Sequence, residues 1–349
     1  DELFPRWVFE KAGELGIFGA HYPEEHGGSG GDYWFSMAKA EELPRCGAAG
    51  VPMALMVQSD MATPVVSDLG SPEQIEEFLK PALRGEKIAA LGVSEPGCGS
   101  DVAGMRTWAR KDGDDYVING SKTFITNGTR ADFITLMLKT DPDAGHGGIS
   151  IVTFPTDTRG FHVSKKLEKV GNWCSDTAEL FFEDCRIPQR YLLGQEGEGF
   201  RYLMQNFQSE RLIGSASAIS GAKLTMEEAI AYGGDRQAFG KPIIKREVWQ
   251  HKWADVATKI EAAEALVYRA ADRYNHERYV AKEDVSFETT KLISMAKVFV
   301  GDVAGEAVDT ALQFHGGWGY IEDFRVARAW RDQRLLRIGG GTTETQRYY

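Results

Sequence analysis

One carboxylate stands where an apolar side chain is expected. Between Phe200 and Gly214, the positions Leu203, Phe207, Glu210 and Gly214 follow an i, i+4, i+7, i+11 course and so share one helical stripe. Burial there disfavours the charged form and brings a carboxyl toward the range that a general base needs near neutral pH. A structural Glu210, paired with Arg211 or another base, fits the stripe equally well. A second segment, Gly92-Val-Ser-Glu-Pro-Gly-Cys-Gly-Ser-Asp101, sets glycines among small hydroxyl residues. Backbone amides in such a stretch can approach a bulky anionic or planar ligand closely, with Ser94 and Ser100 offering hydrogen bonds. An ordinary turn has the same composition. About one hairpin later, Lys122-Thr-Phe-Ile-Thr-Asn-Gly128 places an aromatic and a hydroxyl on a strand, where they could flank a planar heterocycle.

Other patterns carry less. Ser220-Gly-Ala-Lys223 fits the acylating S-x-x-K motif, but it lies in a long helical pattern with no K-T-G partner and reads as chance. There is no G-x-S-x-G and no H-E-x-x-H, and the seven histidines are dispersed, so no metal site is expected. Gly27 to Gly31 follows no strand and reads as a loop, not as a dinucleotide fingerprint. Arg325, Arg328, Arg331, Arg334 and Arg337 recur every three residues. That ridge suits a subunit contact or a phosphate, although a solvated, salt-bridged face is the commoner outcome.

The elements that must position these residues follow from periodicity. From Trp7 to about Lys87 apolar residues recur at helical spacing between Gly- and Pro-rich joints, which predicts short helices. From Ile88 to about Leu193 the pattern becomes short β-branched runs: Tyr116 to Ile118, Phe124 to Thr126, Phe133 to Leu138, Ile149 to Phe154, Leu180 to Phe182. Turn signals at Asp112-Gly113, Asn119-Gly120 and Asn127-Gly128 separate them and predict an antiparallel barrel or sandwich. Beyond Gly199 the period returns to 3.6 over Phe200 to Ala231, Lys245 to His276, Phe287 to Gln313 and Phe324 to Leu336, a four-helix bundle. The fold class is therefore α+β, with domains at 1–87, 88–197 and 198–349. Helices, then strands, then helices is not the alternation of a doubly wound sheet.

Composition narrows the function classes. The 349 residues include 42% hydrophobic side chains, enough for two or three domains, and the net charge of −11 argues against a nucleic-acid backbone as partner. The four cysteines form no CxxC pair and suggest a reducing compartment. No stretch approaches the roughly 20 apolar residues of a membrane span. The chain starts inside a helical pattern and stops at Tyr348-Tyr349 without a stop signal, so both ends read as trimmed.

Six segments, VSEPGCGSD, INGSKTFITNG, CSDTAELFFEDCRIP, DRQAFGKPI, ALQFHGGWGY and IGGGTTETQR, resemble the acyl-CoA dehydrogenase family in order and spacing across essentially the whole chain. The resemblance implies an N-terminal helical domain, a central antiparallel β domain and a C-terminal four-helix bundle, with FAD held between them in a homotetramer. By the same resemblance Leu91, Val93 and Ser94 border the flavin, and Gly99 and Ser100 lie where flavin and acyl-CoA meet. Phe124, Ile125 and Thr126 cover the isoalloxazine. Arg236 and Phe239, from a neighbouring subunit, contact the FAD adenosine and pyrophosphate along with Gln313, Gly316 and Gly317. Thr342 and Glu344 close the site. Without that context, Arg236 reads as a surface salt bridge with Asp235.

The resemblance also separates the two readings of Glu210. Many family members carry the base in the C-terminal loop just before a Gly-Thr pair. Here that position is Gly340, in Ile338-Gly-Gly-Gly-Thr342, and glycine has no proton acceptor. Long-chain and isovaleryl-type members instead carry a Glu immediately before an Arg on the first bundle helix, which Glu210-Arg211 matches. The implied reaction is α,β-dehydrogenation of an acyl-CoA thioester. Glu210 removes the α-proton, the β-hydrogen leaves as hydride to the flavin, and a flavin hydroxyl with the Gly340 N–H polarises the carbonyl. Ser100, Arg211, Gly340 and Gly341 are the implied substrate contacts. Electrons pass to an electron-transfer flavoprotein, in the bacterial cytoplasm or the mitochondrial matrix. The implied acyl chain is branched or medium to long, as in isovaleryl- or citronellyl-CoA. A flavin oxidase or nitroalkane-type enzyme of the same fold, or a non-catalytic flavin-binding scaffold, stays open at this point.

Overall fold

The helix–strand–helix order is the order of the elements in the structure, a computed structural model that describes residues 3–348. Six short helices come first: α1 (Trp7–Glu14), α2 (Tyr33–Glu42), α3 (Gly50–Met56), α4 (Pro64–Leu69), α5 (Pro72–Gln74) and α6 (Lys80–Leu83). Seven strands follow: β1 (Ala89–Gly92), β2 (Trp108–Asp112), β3 (Asp115–Thr126), β4 (Phe133–Lys139), β5 (Ile149–Pro155), β6 (Phe161–Lys166) and β7 (Thr177–Pro188). The remainder is α7 (Gly199–Asp235), the two-residue strands β8 (Gln237–Ala238) and β9 (Lys241–Pro242), α8 (Glu247–Asn275), α9 (Phe287–His315), α10 (Arg325–Gln333) and α11 (Thr343–Tyr348). By packing the chain forms two units. One holds the residues up to Ser36, Met53–Lys169 and Trp173–Glu210; the other holds Met37–Pro52, Val170–Asn172 and the chain from Arg211 onward.

The first unit is built on a seven-stranded sheet of order β1-β4-β2-β3-β7-β6, with β5 on the far side of β4. Most pairings are antiparallel. β1 runs parallel to β4, and β2 meets β4 in parallel at Trp108 and Lys139. One expected turn is absent: Asn119-Gly120 lies within β3, where the register against β7 slips between Ile118 and Gly120. Gly120 has φ +147, and a Cβ there would come within 2.5 Å of Thr107 Oγ1. The glycine thus marks a bulge under a close backbone approach, a reading that an N-G pair permits as readily as a hairpin.

Helices and sheet share this unit's core, in which Phe78 meets Phe133 with ring centroids 5.2 Å apart and Phe154 meets Phe182 at 5.0 Å. Between α3 and α4 the helix widens into a π turn, Val57–Ala62, whose residues are all buried. Such a turn exposes backbone and polar side chains that must find partners inside. Gln58 supplies three bonds at once: its amide donates to the Ala82 and Lys87 carbonyls at 3.0 and 2.7 Å, and its oxygen accepts from the Ala89 N–H at 2.7 Å. These bonds fix the start of β1 against the helices. From the other end, Asn206 on α7 donates to the Met61 carbonyl at 2.9 Å.

In the second unit α8 and α9 pack along their lengths, and α10 and α11 dock on α9. Ser286 caps α9 by accepting the Thr289 N–H at 3.2 Å. The arginine ridge is a salt-bridged face: Arg325 meets Glu228 at 2.8 Å, Arg337 meets Asp302 at 3.2 Å, and Arg331 pairs with Glu322. No helix among the described residues is long and apolar enough to cross a membrane.

Gln58→Leu keeps the side chain's bulk and removes one hydrogen bond from each of three backbone groups, those of Ala82 and Ala89 buried and that of Lys87 half-buried. We expect a loss of about 3 kcal/mol, read from the urea midpoint; a loss below about 1 kcal/mol would show that these bonds do not hold β1.

Candidate active site

The glycine- and serine-rich loop after β1 is pinned to β3 by a buried ion pair. Lys122, fully buried, places its ammonium 2.8 Å from Glu95 Oε1 and donates to the Val93 carbonyl at 3.0 Å. Glu95 also accepts the Arg106 and Thr107 N–H groups at 2.6 and 3.0 Å. The Thr123 N–H donates to the Ser94 carbonyl at 2.9 Å. A turn closes on itself beyond that point, Glu95 and Cys98 exchanging backbone hydrogen bonds of 2.9 and 3.1 Å. Burial alone would raise the Glu95 carboxyl, but Lys122 and the N–H donors outweigh it and hold the group below the usual carboxylate range. Burial pushes the Lys122 ammonium down, opposed by Glu95.

This clamp sits beside a strained residue. Phe124 has φ +60 and is 70% exposed, although it lies on a strand between buried neighbours. The register against β7 slips between Lys122 and Ile125, so Thr123 and Phe124 form a second bulge. A bulky aromatic at positive φ is a genuine outlier. It persists because both flanks are fixed. Lys122 and Thr123 are bonded to the loop on one side. On the other, Asn127 (φ +64) donates to the Ala54 and Ala89 carbonyls at 3.1 Å each. Strain maintained by its surroundings is a pointer to function. Ile125 is buried in the core, and Thr126 is half-buried beside the exposed ring. Leu91, near the end of β1, is half-buried; on the loop Val93 is buried, Ser94 is half-buried, and Gly99 and Ser100 are exposed. A Cβ on Gly97 or Gly99 would meet no protein atom within 4 Å, so the space beside that backbone is open to a ligand.

The second unit carries another group of expected residues. Arg236, Gly316 and Gly317 line a cavity of about 530 Å³ together with Tyr232, His315 and Trp318. Arg236 makes no ion pair with Asp235 or another carboxylate among the described residues, so the salt-bridge reading of this side chain fails. The floor is aromatic: Tyr232 stacks on His315 at 4.3 Å with an 18° interplanar angle. A charged guanidinium, two unshielded glycine backbones and stacked rings suit a phosphate-bearing aromatic ligand. Phe239, at φ +49 and 96% exposed, and the exposed Gln313 are not part of this lining.

α7 carries Glu210 as the last residue of the first unit and Arg211 as the first of the second. Leu203 is buried, whereas Phe207, Glu210 and Gly214 are half-buried, so the stripe is less enclosed than its apolar composition implies. In the C-terminal loop Gly340 and Gly341 are half-buried with φ +64 and +95. Thr342 is half-buried, its hydroxyl accepting the Thr345 N–H at 3.2 Å, and Glu344 is exposed.

Comparison with known proteins decides the family. Models of the acyl-CoA dehydrogenase N-terminal, middle and C-terminal domains match residues 1–86, 90–185 and 197–348. The long-chain specific acyl-CoA dehydrogenase of Sus scrofa mitochondria is 38% identical over 342 residues, 97% of this chain and 77% of that protein. An acyl-CoA dehydrogenase of Bacillus subtilis is 38% identical over 344 residues, 99% of this chain and 88% of its own length. The solved butyryl-CoA dehydrogenase of Megasphaera elsdenii superposes with a TM-score of 0.93 at 35% identity, covering 99% of this chain and 89% of that one. The chain belongs to the acyl-CoA dehydrogenase family. It is thus an oxidoreductase of a flavoprotein family, with the helical ends and central sheet expected for it.

Within the acyl-CoA dehydrogenase frame, two features escaped the sequence reading. Lys122 and Glu95 both lie inside the quoted motifs, and their charge signs could have paired them. Tyr232 lies just past the helical pattern that ends at Ala231, and His315 lies within ALQFHGGWGY, but their spacing gives no sign that the two rings stack.

Glu95→Gln leaves the Lys122 ammonium buried without its counter-charge and should cost about 3–5 kcal/mol at neutral pH. Because the folded carboxyl titrates below its unfolded value, the stability it contributes is present above the unfolded pKa and is lost as pH falls through the folded one. Denaturant titrations should therefore show a shallower acid dependence in the variant. The double change Glu95→Gln with Lys122→Met should recover most of the loss. A double variant no better than the single one would refute the clamp.

Proposed function

We propose that this chain catalyses α,β-dehydrogenation of an acyl-CoA thioester with FAD as cofactor and Glu210 as the base. The observation that carries the reading is the glycine at 340, where many relatives have a carboxylate, together with Glu210-Arg211 on α7. No other carboxylate stands at either family position. FAD, when bound, supplies the acceptor for the two electrons.

The chain's own residues do the rest. Val93, Ser94, Phe124 and Thr126 would hold the flavin ring on a surface kept rigid by the Lys122–Glu95 clamp. Arg236, Gly316 and Gly317 would take the adenosine and pyrophosphate part, offered by a second copy in a homotetramer. An α-proton of an ordinary thioester is too weak an acid for a carboxylate, so the carbonyl must be polarised as the proton leaves. The Gly340 N–H, with a flavin hydroxyl, would serve that purpose and leave the proton to Glu210. Arg211 orients the substrate, with Ser100 and Gly341 as further contacts.

The acyl chain we favour is branched or medium to long, because three glycines at 339–341 leave room where a loop carboxylate would stand. Electrons then leave to an electron-transfer flavoprotein. A panel of acyl-CoAs scored by anaerobic flavin bleaching identifies the substrate. Bleaching followed by rapid peroxide formation in air would instead indicate an oxidase.

Glu210→Gln should retain the flavin and bind acyl-CoA normally while flavin reduction slows by about 10²- to 10⁴-fold. Reduction at nearly the wild-type rate would sink the assignment of the base.

A further inference from the structure

The loop that follows the 3₁₀ turn Arg334–Arg337 is gripped by two cations of its own unit. Arg211 Nε donates to the Gly340 carbonyl at 3.1 Å, and Lys297 Nζ donates to the Gly341 carbonyl. Upstream, the Ile338 and Gly339 N–H groups both donate to the Leu335 carbonyl, at 2.8 and 2.9 Å. Downstream, the Gln346 N–H donates to the Thr342 carbonyl at 2.9 Å. The peptide that joins Gly339 to Gly340 therefore lies between anchored neighbours.

Glycine makes external anchors necessary. At φ +64 and +95, Gly340 and Gly341 sit where only glycine is at ease, and nothing in their own covalent structure keeps them there. A side chain at 341 would meet only the movable end of Gln346, Nε2 at 2.5 Å, but at φ +95 it would be strained whatever the space. In a trans peptide the C=O and N–H point in opposite directions. Holding the Gly340 oxygen thus aims the Gly341 N–H, and holding the Gly341 oxygen aims the Thr342 N–H.

Lys297 is unusual on its own helix. Ile293, Lys297, Val300 and Ala304 follow one stripe of α9, and all four are buried, Lys297 at 3% exposure. Burying an ammonium is costly unless it is bonded. The Gly341 carbonyl is one of its acceptors.

We propose that Lys297 is a positioning residue for the dehydrogenation: together with Arg211 on the Gly340 carbonyl, its hold on the Gly341 carbonyl fixes the two peptides that follow the Gly340 N–H and so keeps that donor in place to polarise the thioester carbonyl. This rests on the reading above, in which a loop amide meets that carbonyl. Lys297 touches neither substrate nor flavin in this role.

Lys297→Met preserves length and apolar stem and removes the donor. In the FAD-loaded enzyme two quantities are measured: the anaerobic bleaching rate with the best acyl-CoA, and the affinities for a non-reacting thioester analogue and for the S-alkyl-CoA thioether of equal chain length, which lacks the carbonyl. We expect bleaching about 10- to 100-fold slower, the thioester analogue about tenfold weaker, and the thioether unchanged. Equal weakening of both ligands, or an unchanged rate, overturns the proposal in favour of a purely structural lysine. If the Met variant does not fold, Lys297→Gln, a shorter neutral donor, is judged on the same thioester-against-thioether comparison. Wild-type enzyme that bleaches with no acyl-CoA defeats the functional reading itself, whereas normal bleaching by both enzymes defeats only the role of Lys297.

Discussion

The ion pair between Lys122 and Glu95 fixes the loop and strand on which the proposed flavin surface is built. An unpaired ammonium in the middle of a sheet would be intolerable, so the carboxylate must follow it inside, and it draws the loop from Val93 to Cys98 onto β3. Once the loop is bonded to Thr123, the chain has little freedom at Phe124, and the ring is held outward in a backbone conformation that it would not choose alone. Charge burial is thereby converted into geometric precision. The same pair explains why the motif residues surrounding it include two charges that have no need to touch a ligand.

A related principle operates in the second unit. The C-terminal loop contains three successive glycines, which give it room and deprive it of shape. Its shape is supplied by Arg211 and Lys297, each reaching a backbone carbonyl from a long helix. Rigid helices carrying cations that hold flexible backbone place precision where the sequence is least constrained. Glu210 precedes one of these anchors on α7. A substitution that tilted this helix would therefore disturb both the carboxylate and the guanidinium.

Much of the architecture was legible beforehand because periodicity reports burial directly. The change from helical spacing to short β-branched runs near Ile88, and back near Gly199, corresponds to the ends of the sheet, and the long helices begin and end within a few residues of their patterns. The bulge at Gly120 was not legible, since N-G serves a hairpin and a close approach alike, and only the proximity of Thr107 distinguishes them. The arginine ridge was ambiguous for a similar reason. Its carboxylates, Glu228, Asp302 and Glu322, lie elsewhere in the chain and are brought to it by helix packing.

What the sequence determined by itself is the inventory: a carboxylate on a helical stripe, a glycine in the place of a loop carboxylate, a glycine–serine loop, an aromatic-hydroxyl strand, and six ordered motifs that point to one family. Those are statements about residue type and spacing, which a linear chain carries in full. What only the tertiary structure decided is which groups are held and by what. The pairing of Lys122 with Glu95, the strain at Phe124, the release of Arg236 from Asp235 into a cavity, and the grip of Lys297 on Gly341 all join positions far apart in sequence or depend on backbone angles. Spacing along a chain does not encode distances across it, so the chemistry could be named from the sequence while its positioning had to be seen in the fold.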